Sequence, residues 1–133
     1  MNSIISQYFN IIEARVVESP VINSYQVLRR EIAPSDGKIR IKVILNNGGS
    51  VELFEYVSEV YEDIKLLKYS FHWQDSQGKL ISRWDNAPHH QDLPNAPHHI
   101  HLKNGIVQEV TKVPNIFQGI LQILGCCLMG SLV

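Results

Sequence analysis

The chain has 133 residues, 44% of them hydrophobic and 19% charged, which points to one globular domain over 1–133 with a core of its own. Its formal net charge of −1 lacks the strong basic excess of a general nucleic-acid binder, although protonated histidines would add positive charge in mild acid. The two cysteines, Cys126 and Cys127, are adjacent, form no zinc spacing and read as buried reduced thiols, so a cytoplasmic protein is expected.

The first ten residues carry neither the basic stretch nor the continuous apolar run of a secretory signal. Ile4, Ile5, Tyr8, Ile11 and Ile12 recur at helical spacing and predict a helix over 3–15, with Asn2 or Ser3 as its cap. Residues 21–32 read as extended, and APSDG at 33–37 as a turn. Ile39, Ile41, Val43 and Leu45 alternate with Arg40 and Lys42, as in a half-buried strand. NNGG at 46–49 supplies the positive-φ residues of a hairpin that leads into a strand over 51–61. A strand over 64–74, a turn at DSQG (75–78) and a strand over 79–85 follow. A short strand near 99–103 and a helix starting at Pro114 and Asn115 complete the chain.

The expected fold is therefore α+β, an antiparallel four- to five-stranded meander flanked by an N-terminal and a C-terminal helix. Residues 116–133 are uncharged, and Ile116, Ile120, Ile123, Leu124, Cys127 and Leu128 share one helical face. The segment is at the lower limit for a membrane span and contains Gln118, Gln122 and Ser131. A docked helix with a second face toward a partner, or toward a second copy in a homodimer, is expected in place of a membrane anchor.

A four-residue loop at 75–78 would set Gln74 opposite Lys79. Trp73 then faces Leu80, Phe71 faces Ser82 and Tyr69 faces Trp84, which builds an aromatic side. The other side carries Lys68, Ser70 and His72 opposite Asp85, Arg83 and Ile81. One reading of that side is a solvated face with a weak Lys68–Asp85 pair. The other is the floor of a site, where Arg83 holds a phosphate and His72 moves a proton. A one-residue change in the loop would exchange the two faces. Glu55 falls in register with Val51, Leu53 and Val57 on the apolar side. There it needs a partner, such as an arginine or histidine, or its pKa rises. A fraying strand end is the alternative.

RWDNAPHHQDLPNAPHHIH (83–101) holds five of the six histidines and contains NAPHH twice, at 86–90 and 95–99. Asp85 and Asn86 are expected to bond backbone N–H groups two residues on, and Pro88, Pro94 and Pro97 to stiffen the path. Three readings stand side by side. His90, His99 and His101 could bind zinc or another transition metal with a position left open, although no H-E-x-x-H is present. Histidines could cleave RNA without metal, as general base and acid, with Arg83 stabilising the charge that develops on the phosphate. Or the rings stack on Trp84 and cap backbone groups, although packing alone rarely calls for five titratable rings.

The pattern Tyr69-x-x-His72-Trp73, Gly78, Arg83-x-Asp85-Asn86-Ala87-Pro88-His89-His90 and Pro97-His98-His99-x-His101 resembles the TumE family of toxins from bacterial type II toxin–antitoxin systems. The resemblance covers roughly residues 37–101. It implies a small cytoplasmic toxin neutralised by an antitoxin protein. Analogy with RNA-cutting toxins of similar size and layout adds RNA as the substrate. The site residues expected on this reading are His72, Arg83, His90, His99 and His101, with Asp85 orienting a histidine and no cofactor. The alternatives are a non-enzymatic interaction module, or a metal-dependent hydrolase on His90, His99 and His101.

Overall fold

The computed structural model describes residues 3–86 and the backbone of 99–102 and 107–109. Helix α1 (Ile4–Glu18) starts at Ser3, whose hydroxyl accepts from the Ser6 N–H at 3.0 Å and satisfies one free donor of the first turn. Ile5, Phe9, Ile12 and Val16 form its buried stripe. Five long strands follow: β1 (Ile22–Ile32), β2 (Asp36–Leu45), β3 (Ser50–Val60), β4 (Asp63–Gln74) and β5 (Leu80–Asp85). All neighbours pair antiparallel in sequence order, giving the expected meander. Two short strands, β6 (His99–Leu102) and β7 (Val107–Glu109), extend the sheet beyond β5 to seven strands. The expected C-terminal helix, with its face for a partner or second copy, lies outside the described residues.

Helix α1 covers one side of the sheet. Its four buried residues meet Ile39, Ile41, Val43 and Leu45 of β2, Val51, Leu53 and Val57 of β3, and Tyr69, Phe71 and Trp73 of β4. Each such side chain contributes about 1.5–3 kcal/mol by leaving water. Gly37 lets the helix come close, since a Cβ there would stand 2.8 Å from Ile5 Cγ2 and 3.0 Å from the Glu31 carbonyl. Arg30 ties α1 to β1: its guanidinium bonds the Glu13 carboxylate and, at 2.9 Å, Asn10 Oδ1, and lies 5.8 Å from the Phe9 ring centre.

The hairpin between β4 and β5 differs from the simple count. The Asp75 N–H donates to the Lys79 carbonyl at 2.8 Å, and Asp75 Oδ1 accepts from the N–H groups of Gln77 and Lys79. Gly78, with φ of 82°, completes a three-residue turn. Gln74 therefore pairs with Leu80, where Lys79 was expected. Beyond it Trp73 pairs with Ser82, leaving Ile81 as a bulge. Each change moves the register by one residue. Their sum is even, so from Ser82 onward the sides are as expected, with Phe71 facing Trp84 and His72 facing Arg83, whereas Leu80 takes the side of Gln74 and Ile81 packs against the core, the reverse of their expected sides. The expected Lys68–Asp85 pairing is replaced by Ser70 opposite Asp85.

Candidate functional site

The face opposite α1 is formed by alternate residues of β1 to β5, and no described element covers it. Cross-strand register orders it into rows. Lys42, Glu52, His72, Arg83 and His101 stand opposite one another in turn on β2 to β6. One step along the strands lies the row Arg29, Arg40, Phe54, Ser70, Asp85 and His99. A further step along lies Lys38, Tyr56 and Lys68. Directly opposed residues have Cα atoms about 4.5–5.5 Å apart.

These rows enclose a shallow basin of about 530 Å³. Arg29, Lys38, Arg40, Lys68 and Arg83 line it against a single carboxylate, Glu52. A chain of net charge −1 thus concentrates cations on one surface. Whole-chain charge, which argues against a nucleic-acid partner, hides this segregation. The signal was present in the alternation of Lys38, Arg40 and Lys42 with buried Ile39, Ile41 and Val43, once β2 is registered on β3.

His72 is half-buried on this basin, and the Arg83 side chain is 45% exposed. Asp85 is 2% exposed, and its Oδ2 lies 3.1 Å from Arg83 Nε. That ion pair draws the guanidinium toward the end of β5. Burial first and the Asp85 charge second push the Tyr69 hydroxyl above the ordinary tyrosine range, so it stays protonated. His99 and His101 take register positions opposite Asp85 and Arg83. The fold thus brings the positions of His72, Arg83, Asp85, His99 and His101 together on three adjacent strands. His90 lies outside the described residues, as do the side chains of His99 and His101. The zinc alternative rests on those three. Among the described residues no group of three His, Cys, Asp or Glu side chains is arranged to hold a metal ion.

Since the residue two on is Pro88, which has no N–H to donate, Asn86 does not make the bond expected of it. Its amide donates to the Leu67 carbonyl at 3.1 Å and accepts from the Tyr69 N–H at 3.0 Å. It continues the ladder to β4 with a side chain at the point where β5 ends, next to the chain's Ala87–Pro88. Asn86→Ala is expected to lower stability by about 1–2 kcal/mol in urea denaturation, because two backbone groups lose their partner. An unchanged midpoint would remove this role from Asn86.

Glu55 is the buried carboxylate on the apolar side, 1% exposed, at a well-paired position of β3 and not at a frayed end. Its partner is neither an arginine nor a histidine. The Tyr8 hydroxyl of α1 donates to Glu55 Oε1 at 2.5 Å. Burial pushes the Glu55 pKa up to about 7, and the Tyr8 bond pulls in the opposite direction. Tyr8 could not be assigned as this partner from spacing, since it falls within the apolar stripe of α1.

A family model described as Toxin TumE matches residues 12–127. The chain belongs to the TumE toxin family. The match runs past the 37–101 stretch that carries the motif resemblance, and takes in every strand and all six expected site residues. Neither curated proteins nor solved structures give a match. No helix among the described residues is long and apolar enough to cross a membrane.

Proposed function

We propose that this TumE-family toxin cleaves RNA on its open sheet face, and that a cognate antitoxin protein neutralises it. The observation that supports this reading best is the row His72–Arg83–His101, two histidine positions flanking an arginine on three neighbouring strands, set in a basic basin. One histidine takes the proton of a ribose 2′-hydroxyl, whose oxygen attacks the adjacent phosphorus. The other gives a proton to the departing 5′-oxygen, so the products are a 2′,3′-cyclic phosphate and a free 5′-hydroxyl. Arg83 stabilises the charge on the phosphoryl oxygens, and its fork suits that geometry. Asp85 holds Arg83 and, from its place opposite His99, orients that histidine.

The test is incubation of untagged protein with single-stranded RNA in excess chelator, followed by analysis of the product ends. Cyclic phosphate ends formed in chelator are expected. Activity lost in chelator and restored by zinc would favour the hydrolase on His90, His99 and His101. Intact RNA under all conditions would favour a non-enzymatic interaction module.

A further inference from the structure

We infer that the same open face carries a binding track for single-stranded RNA, in which Lys38 and Lys68, on either side of Tyr56, hold phosphates to one side of the cleaved bond. The inference rests on the nuclease reading and adds the substrate class and the residues that grip it.

The cations of the basin are not equivalent. Arg29, Arg40 and Arg83 each lie within 3.1 Å of a carboxylate, on Glu31, Glu52 and Asp85 respectively. Lys38 and Lys68 have no ion-pair partner among the described residues. Both are direct register neighbours of Tyr56, from β2 and from β4, and neither is held in an ion pair among those residues, although Lys38 also stands opposite Glu31 on β1. Cations not held in an ion pair attract counterions, and a phosphodiester that replaces counterions gains their release.

The rings keep this charge in order. The Lys38 ammonium lies 5.2 Å from the Tyr56 ring centre, and Tyr56 is itself held by its hydroxyl bond to Asp36 at 2.7 Å. Long side chains laid on rings lose less freedom when they bind. Aromatic side chains interleaved with cations on a sheet suit splayed nucleotides, whose base faces a duplex would hide. An acidic protein segment would satisfy the charge but would make no use of the ring. From Arg83 on β5 to Arg29 on β1 the face spans four strand intervals, about 19 Å. That is room for roughly four nucleotides, the small end of sheet-borne single-strand sites.

The experiment is fluorescence anisotropy of a labelled single-stranded RNA with 2′-O-methyl sugars, which resist this cleavage, across a salt series. Full-length wild type is compared with Lys38→Ala/Lys68→Ala and with Lys79→Ala, a charge change in the β4–β5 turn outside the basin. The double variant is expected to bind about tenfold more weakly, and its salt slope to fall by about 1.4, as two lost phosphate contacts require. Lys79→Ala should leave both unchanged. If alanine lowers the Tm, the glutamine double variant takes its place. An unchanged slope in the double variant, while wild type binds RNA, overturns the track and leaves the nuclease reading standing. Equal affinity for a 2′-O-methyl duplex also overturns it. The expected slope change with no cleavage of unmodified RNA keeps the track and sinks the nuclease reading. Binding of polyglutamate but of no RNA overturns both.

Discussion

His72→Ala is expected to slow RNA cleavage by about 10²- to 10⁴-fold, the range for removing a positioned general acid or base. The same variant should relieve growth arrest while its Tm stays near that of wild type. His72 is half-buried on the basin rim and opposes its neighbours in register without filling the core. Arg83→Ala should slow cleavage by about 10²- to 10³-fold, through lost stabilisation of the phosphoryl charge. Its stability should also fall, because the 2%-exposed Asp85 loses the guanidinium it faces at 3.1 Å. Arg83→Lys restores a charge but not the fork, so it should recover stability more than activity. Thermal melting and initial cleavage rates, measured on one preparation, separate the two effects. Wild-type cleavage rates in both alanine variants would place the chemistry elsewhere. Failure of His72→Ala to fold would make its position structural.

Glu55 should make the protein less stable as pH rises. Its pKa is about 7 in the folded chain against an ordinary 4.5. Below 4.5 both states are protonated, and the group contributes no pH dependence. Between 4.5 and about 7 the unfolded chain releases the proton while the folded chain keeps it, so stability falls. The loss totals about 3 kcal/mol and levels off above pH 7. Glu55→Gln removes an ionisable group and keeps an oxygen for the Tyr8 hydroxyl. Its urea midpoint should be nearly flat over this interval, and at pH 8 it should exceed wild type by up to about 3 kcal/mol. Tyr8→Phe should extend the decline to higher pH, since the bond that favours the carboxylate is gone. Parallel pH curves for wild type and Glu55→Gln would show that Glu55 titrates as it does in the unfolded chain.

Much of the fold was legible because local rules act there without competition. Ser3 caps α1, the period-2 pattern of Ile39 to Leu45 makes β2, and Gly48 turns at φ of 88° between β2 and β3. The β4–β5 faces were legible from Ser82 to Asp85, but not at Leu80 and Ile81, which exchange sides at the bulge, and the register was not. Asp75 bonds its own loop and Ile81 bulges, and neither is visible in residue spacing. The two errors cancelled only because their sum is even. Of the candidate site, the shared side of His72 and Arg83 and a short strand near His99 were legible. The partnership of Tyr8 with Glu55 was not, because the two residues are 47 positions apart and join a helix to a sheet. Nor was the cluster of Lys38, Arg40 and Lys68, whose strands pair only once the chain folds. Net charge averages over that arrangement and so does not report it.

The central claim is that His72 and His101, flanking Arg83 on β4, β5 and β6, act on one phosphodiester. A double-mutant cycle of cleavage rates with His72→Ala and His101→Ala tests it most directly. Residues that act as one unit lose far less in combination than the product of their separate losses. The double variant should therefore be about as slow as the slower single variant. Losses that multiply, or a His101→Ala variant that cleaves like wild type, would contradict the claim.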